Sequence, residues 1–177
     1  MRIAALVLGL WAMVAGAPSA DACGYWSMTD TQRGFEIGYL INSASIAKGE
    51  KRLAAIYLDL EAKGGMRTVR ERKVVFDIKG DKLRKLGRVI GTIDRTKDTV
   101  TITGATYTLA LTDPGREHDM PTWKLVVKRG DDVVVTSDSA SSLCSGMATP
   151  GGMTDEEAKE EVRRRVIFYL AWRETGN

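Results

Sequence analysis

The sequence predicts a mainly β domain of the α+β class: an antiparallel meander of about eight strands, with a C-terminal helix packed against it. Three observations predict this class. Apolar and polar residues alternate through most of the region 35–138, which is the period of a half-buried strand. The segments between these runs are short and polar, and no long crossover helix separates them, which favours antiparallel neighbours. A single helical pattern closes the chain, after a linker.

Eight segments carry the strand alternation. Their apolar-phase positions are Phe35, Ile37, Tyr39 and Ile41; Ile56, Leu58 and Leu60; Val74, Phe76 and Ile78; Val89, Gly91 and Ile93; Val100 and Ile102; Tyr107, Leu109 and Leu111; Trp123, Leu125 and Val127; Val133 and Val135. The segments 95–98 and 129–132 are polar and of hairpin length, and the apolar phase flips at Gly104, which indicates a further tight turn. The segment that contains Leu83 and Leu86 predicts one short helical turn.

The strands can be arranged in two ways. A meander of eight strands can close into a barrel whose interior is filled by side chains or holds one small ligand, with the helix packed outside. A strongly curved open sheet, with the helix laid across one face, fits the same pattern. Both arrangements remain open from the sequence.

The linker 145–153, which contains glycine and proline, precedes the predicted helix at about 154–173. Thr154 is placed to cap the helix, and Glu157 to complete a capping box. The residues 166–172 are apolar on all sides of the helix, so we expect this half to be buried. If it were exposed around Phe168 and Trp172, it would instead be an interaction surface.

Residues 1–22 have the pattern of a signal peptide. A positive start is followed by an apolar run over 3–17 and by Ala20-Asp21-Ala22, which has small residues where a signal peptidase reads. The run is shorter than the roughly 20 apolar residues that span a bilayer, and no later stretch is longer. We therefore expect a single exported domain over 23–177, periplasmic or secreted, without a transmembrane segment.

The two cysteines of the chain, Cys23 and Cys144, both lie in the exported part. Disulfides form and persist in that compartment, so we predict that these two are bonded to each other. The alternative is a lipoprotein anchored at Cys23. The residues Ala20 and Asp21 argue against it, because lipoprotein signals usually have a larger aliphatic residue and no acidic residue at these positions.

Composition and motifs narrow the function classes. The chain has 177 residues, of which 44% are hydrophobic and 28% charged, so it is neither a disordered tail nor a disulfide-rich miniprotein. His118, the single histidine, is flanked by Glu117 and Asp119, but this spacing suits neither a metal site nor a catalytic group. No cofactor-binding motif is present. We predict no catalytic residue, metal or cofactor.

Positive charge is concentrated in residues 63–97, which contain twelve basic and four acidic residues against a net charge of +3 for the whole chain. Such a segment can attract an anionic ligand or envelope surface, or it can simply keep the outer strand faces soluble. Nucleic acid is an unlikely partner, because few aromatic residues interleave with the charges. Arg70 and Arg72 share the phase of Val74 and Phe76, so they are our candidate ligand-binding residues for an anion.

These features predict an exported, non-catalytic binding or envelope-accessory module, for a small anionic or amphipathic ligand. Two alternatives follow from other features of the sequence. One is a small secreted enzyme with a site around His118. The other is a protein-interaction module that uses the C-terminal helix. The sequence does not predict the oligomeric state.

Overall fold

The computed structural model describes residues 26–40, 43–59, 67–70, 73–117, 120–140 and 155–176. Within these ranges the chain forms twelve β-strands and one α-helix. Their bounds are β1 Trp26–Asp30, β2 Phe35–Leu40, β3 Ser43–Lys48, β4 Lys51–Asp59, β5 Arg67–Arg70, β6 Lys73–Lys79, β7 Lys82–Lys85, β8 Arg88–Asp94, β9 Thr99–Ile102, β10 Ala105–Glu117, β11 Met120–Arg129, β12 Asp132–Ala140 and α1 Asp155–Thr175.

Each strand pairs antiparallel with its neighbours in the chain, which confirms the predicted antiparallel meander. The first strand also pairs with the last, through Thr29 opposite Thr136 and Asp30 opposite Val135, so the pairing order is that of a closed barrel. This seam is short. It is extended by Thr31, whose backbone N–H donates to the carbonyl oxygen of Val134 at 2.9 Å.

The meander gives the barrel two distinct ends. We call the end that holds the turns after odd-numbered strands the basal end, and the opposite one the apical end. The described basal turns are 31–34, 49–50, 86–87, 103–104 and 130–131, and the described apical turns are 80–81 and 95–98. The predicted turns at 95–98, at Gly104 and at 129–132 are confirmed.

The predicted count of about eight strands is too low. The strands that the sequence analysis missed are β1, β3, β5 and β7, and all are four to six residues long. Few apolar residues mark them: in β7, Leu83 is buried between charged neighbours. That segment is a strand rather than the predicted helical turn, because Leu86 and Gly87 both take positive φ, 49° and 80°, and so form a tight hairpin turn.

Two β-bulges change the predicted inward positions. The register shifts between Leu83 and Arg84, opposite β8, and between Val127 and Lys128, opposite β12. A bulge inserts one extra residue and so reverses the alternation beyond it. As a result Val89 and Val133, which the sequence placed in the apolar phase, are exposed instead.

Gly91 of β8 lies against the backbone of β9. A Cβ on this residue would lie 2.3 Å from the carbonyl oxygen of Thr101, so any side chain must push the strands apart. We expect Gly91→Ala to lower the free energy of unfolding by about 3 kcal/mol. Urea titration followed by circular dichroism would measure this, with Thr92→Ala on the exposed face of β8 as the control. Equal stability of both variants would contradict the close approach.

Helix α1 is buried on all sides over two turns. The residues from Arg165 to Ala171 are each at most 2% exposed, which confirms the predicted burial of this half. They share one core with the inward residues of the strands, including Ile46, Leu83, Val100 and Leu125. Since an α-helix covered in every direction has no outer face, α1 lies within the barrel.

The direction of α1 follows from its end contacts. Its first half meets the apical turn 95–98, where Arg163 pairs with Asp98. Its last residues meet the basal end on opposite sides of the ring: Arg33, in the turn after β1, donates to the carbonyl oxygen of Arg173 at 2.7 Å, and Lys85 of β7 to that of Thr175 at 3.1 Å. A helix of 21 residues is about 31 Å long, so α1 crosses the barrel from apex to base.

The position of the helix differs from both predicted arrangements, which placed it outside a closed barrel or on one face of an open sheet. The strand number explains the difference. Eight strands enclose a space that their own side chains fill, and the interior widens as strands are added. Twelve strands leave room for a helix about 10 Å wide, and α1 supplies the missing core. No helix in the part of the chain that the structure describes is both long and apolar enough to cross a bilayer.

Candidate functional site

The most extensive polar cluster described lies inside the barrel at its basal end, around Asp30. This residue is fully buried. Its Oδ1 accepts from the backbone N–H groups of Gln32 and Arg33 at 3.0 and 2.8 Å, which closes the turn after β1. Its Oδ2 accepts from the hydroxyl of Tyr169 at 2.7 Å and from Nε of Arg173 at 2.8 Å. One carboxylate therefore joins the first strand to the last turns of the helix.

The guanidinium of Arg173 is the partner of this carboxylate and is itself almost fully buried. Its remaining nitrogens donate to the hydroxyl of Tyr107 at 3.0 Å, to Glu174 at 2.7 Å and to the side-chain oxygen of Gln32 at 2.8 Å. Tyr107 in turn donates to Glu174 at 2.7 Å. Buried charges are tolerated when they are paired and hydrogen-bonded in this way.

The pKa values follow from these bonds. Burial by itself would raise the pKa of Asp30, but the hydrogen bonds from Tyr169 and Arg173 outweigh it and hold this pKa below its ordinary value. The same balance of burial against bonds from Tyr107 and Arg173 lowers the pKa of Glu174. Burial and hydrogen bonds to carboxylates raise the pKa of both Tyr107 and Tyr169. The cluster is thus held with ionised carboxylates and neutral phenols.

The polar groups of this cluster, which are its carboxylates, phenols and guanidinium, are hydrogen-bonded to one another and to neighbouring groups of the protein. The arrangement fixes the position of α1 along the barrel axis rather than presenting an open site. Lys85 adds to it, because its ammonium group neutralises the carbonyl end of the helix.

The cluster makes the stability of the fold depend on pH in both the acidic and the alkaline range. The carboxyl groups of Asp30 and Glu174 have lowered pKa values in the folded state, so their contribution is present above the unfolded pKa and is lost as the pH falls through the folded values. Tyr107 and Tyr169 have raised pKa values in the folded state. Their contribution to stability is therefore present below the unfolded pKa and is lost as the pH rises through the folded values.

We therefore expect the free energy of unfolding to be highest at neutral pH, and to fall below about pH 4 and above about pH 10. Urea titrations across this range would measure it. In Tyr169→Phe the alkaline loss should be smaller than in the parent protein, while the acid loss should persist. A stability that does not change between pH 7 and pH 3 would contradict the assignment.

A second cluster of ion pairs lies at the apical end, where the helix enters the barrel. Glu160 accepts from Arg163 at 3.2 Å and lies 3.5 Å from Arg95 and from Arg164, and Arg163 also pairs with Asp98. A neighbouring open depression of about 500 Å³ is lined by Asp81, Thr92, Ile93, Asp94, Arg95, Thr99 and Thr101. Its charged residues are two carboxylates, Asp81 and Asp94, and one guanidinium, Arg95, so it does not have the character of an anion site.

The structure describes one of the two predicted anion-binding arginines. Arg70 is the last residue of β5 and pairs with Lys73, the first residue of β6, and Arg72 lies outside the described residues. Arg70 therefore lies in β5, on a different strand from Val74 and Phe76 in β6, and the inward orientation of the two side chains stays a prediction. Arg70 lies at the basal end; its role as a ligand-binding residue remains a prediction.

Other predicted residues also fall outside the described ranges. They are Cys23, Cys144, His118, Asp119 and the helix cap Thr154, and they stay predictions. Glu117 is described as the last residue of β10, opposite Met120. Among the described residues there is no cluster of three or more histidine, cysteine or acidic side chains that could hold a metal.

The surface that the interaction-module alternative requires is largely buried in the described structure. Phe168 is 1% exposed. Trp172 is only partly buried, and its ring packs against those of Phe35 and Tyr169, each with centroids 6.1 Å apart. Use of this face by a partner would require the helix to leave the barrel.

Exposed cations outnumber exposed acidic residues at the basal end of the described structure, where the acidic residues are Glu36, Glu50, Asp131 and Asp132. Lys51 and Arg52 follow the turn after β3, and Arg88 follows the turn after β7; all three are exposed. The apical cations of the same wall are partly neutralised, since Lys82 lies 3.6 Å from Asp81 and Lys97 lies 3.6 Å from Asp94. Basal cations are therefore the better candidates for binding an anion.

Beside Arg88 lies an exposed apolar tip that the sequence analysis did not select. Leu86 in the turn after β7 is 67% exposed, and Val89 is 59% exposed. The available signal was a leucine next to glycine in a polar, basic stretch of hairpin length. Comparisons of the chain with protein-family models, with curated proteins and with solved structures find no match.

Proposed function

We propose that this chain is an exported, non-catalytic binding module that attaches to an anionic ligand or envelope surface through the basal end of its barrel. The observation that carries the proposal is the filled interior. In the described structure, the space where a barrel of this size could hold a ligand is occupied by α1, whose residues 165–171 are buried. Binding is therefore left to the outer surface.

The charge distribution selects the basal end of that surface. Lys51, Arg52 and Arg88 are exposed there, and Arg70 ends β5 at the same end. Like charges that lie near one another attract a polyanion jointly, and each exposed cation near an anionic surface contributes about 1 kcal/mol. The internal polar cluster supports the non-catalytic part of the proposal, because its groups are bonded to one another.

Two charge-matched triple variants test the proposal. The basal variant lacks three basal cations, because serine replaces Lys51, Arg52 and Arg88. The apical variant lacks three exposed apical cations, because serine replaces Lys79, Lys82 and Lys97. Binding to poly(glycerol phosphate) or dextran sulfate would be measured by calorimetry at low salt. We expect the basal variant to bind about a hundredfold more weakly, and the apical variant to bind much as the parent does. Equal effects of the two variants, or no binding by the parent, would contradict the proposal.

Arg70 and Arg72 are proposed to contribute to the same binding. Replacing both with methionine should weaken binding of the same polyanions, and unchanged affinity would remove them from the site. The variant should fold normally, because Arg70 is the last residue of its strand.

The export and disulfide parts of the proposal can be tested together. β1 begins at Trp26 and β12 ends at Ala140, at the apical end of two neighbouring strands. Cys23 and Cys144 lie three and four residues beyond these points, which supports a bond between them. Native mass spectrometry of the exported protein should report a chain that begins at Cys23 and lacks two hydrogens. A full-length chain with two free thiols, or a lipid on Cys23, would contradict it.

A further inference from the structure

The turn between β7 and β8 carries a leucine in a backbone conformation that leucine rarely adopts. Lys85 and Arg88 are the last paired residues of the hairpin, and Leu86 and Gly87 between them have φ of 49° and 80°. Two positive φ values define a type I′ turn, in which asparagine or glycine is favoured at the first position. A leucine there is strained.

The side chain of Leu86 has little packing in the fold to offset this strain. It is 67% exposed, and Val89 beside it is 59% exposed. The turn after β9 has the same backbone, with Thr103 at φ 47° and Gly104 at 89°, but a polar, exposed residue stands in the place of leucine. A strained and exposed apolar residue indicates a role outside the folding of the chain.

The surroundings of this tip are basic. Residues 84–89 contain Arg84, Lys85 and Arg88 and no acidic residue. Arg84 is paired with Asp77 at 2.6 Å, and Lys85 holds the end of α1, so both are fixed along the barrel wall. Arg88 is exposed next to the apolar pair. The tip thus combines two exposed apolar side chains with the exposed cation Arg88, on a hairpin anchored to the core.

We propose that this tip docks on the surface of a lipid bilayer with anionic headgroups, with Leu86 and Val89 entering the interfacial region and Arg88 contacting phosphate groups. The inference rests on the proposed function and names the anionic partner. A soluble polyanion offers charge but no apolar layer for the two side chains, whereas a bilayer interface offers both. A stable protein partner would need roughly 800 Å² of each surface, far more than two side chains supply.

A single substitution separates binding from folding. Leu86→Asn places a favoured residue in the type I′ turn, so we expect the melting temperature to rise while the lipid contact is lost. Thr103→Asn makes the matching change in the neighbouring turn, and it should raise the melting temperature without affecting lipid binding. The probes are vesicles of mixed phosphatidylcholine and phosphatidylglycerol, with vesicles of phosphatidylcholine alone for comparison, in co-sedimentation with the mature protein.

We expect the parent and Thr103→Asn to bind the anionic vesicles, and Leu86→Asn to bind about tenfold more weakly. Unchanged vesicle binding by Leu86→Asn would overturn the inference, as would equal binding of the parent to neutral vesicles. If the parent binds dextran sulfate but not anionic vesicles, the proposed function stands and the lipid is wrong. If Leu86→Asn abolishes self-association instead of vesicle binding, the tip is a protein contact and the inference fails.

Discussion

Replacing Asp30 with alanine is expected to lower the free energy of unfolding by about 4 kcal/mol at neutral pH. The substitution leaves the guanidinium of Arg173 buried without its carboxylate, and it removes the acceptor of Tyr169 and of two backbone N–H groups. Breaking a buried pair from one side is costly because the remaining charge stays out of water. Chemical denaturation followed by circular dichroism would measure the loss.

A double-mutant cycle identifies the cause of that loss. Arg173→Met should also destabilise, but the double variant with Asp30→Ala should be more stable than the sum of the two losses predicts, by about 2 kcal/mol. Asp81→Ala is the control for an ion pair in water: its partner Lys82 is half-exposed, and its loss should cost less than about 1 kcal/mol. A cost for Asp30→Ala as small as that of Asp81→Ala would mean that the buried cluster does not hold the helix.

Ending the chain before α1 is expected to abolish cooperative unfolding. The buried apolar residues of the helix would be lost from the core that it shares with the strands; they are Val162, Val166, Ile167, Phe168, Tyr169, Leu170 and Ala171. Strands of a ring this wide cannot fill its interior with their own side chains, so the truncated barrel should collapse or aggregate. Calorimetry of a chain that ends at residue 153 would show whether a transition remains.

A peptide added in trans provides the control for this truncation. A synthetic segment of residues 154–177 should restore a cooperative transition on co-refolding, because it supplies the missing core. The same peptide with Leu170→Asp should not, since it would bury an unpaired carboxylate at a fully enclosed position. A truncated chain that unfolds cooperatively without any peptide would contradict the internal position of the helix.

The sequence pattern predicted the elements that have strong alternation or strong apolar character. The eight predicted strands correspond to β2, β4, β6, β8 and the four strands from β9 to β12. The helix begins and ends within two residues of its predicted bounds. These elements carry enough apolar side chains for a period to be visible.

The remaining strands could not be found by the same rule. In β3 the inward residues Ala44 and Ile46 alternate with Ser43, Ser45 and Ala47, and in β1 an inward position is the charged Asp30. Since the strand number sets the width of a barrel, missing four strands also hid the room for the helix. The apolar residues 166–172 indicated that this half of the helix is buried on all sides. Whether it is buried inside or outside the barrel depends on the width of the barrel, which this pattern does not show.

The buried cluster depends on tertiary structure in the same way. Asp30, Tyr107 and Arg173 are far apart in the sequence, and each is an ordinary residue of its element. Two signals could have selected them: Asp30 has the phase of the buried Met28, and Arg173 directly follows the apolar half of the helix. The exposed tip at Leu86 was hidden because hairpin turns with leucine are rare.

The position of α1 inside the ring can be measured by nuclear Overhauser effects in solution. The structure predicts contacts from the end of one helix to opposite walls of the barrel: from Trp172 to Phe35 in β2, where the ring centroids are 6.1 Å apart, and from Thr175 to Lys85 in β7. Observation of both sets, together with contacts from Tyr169 toward β1, would agree with an internal helix. Contacts confined to adjacent strands on one side would contradict it.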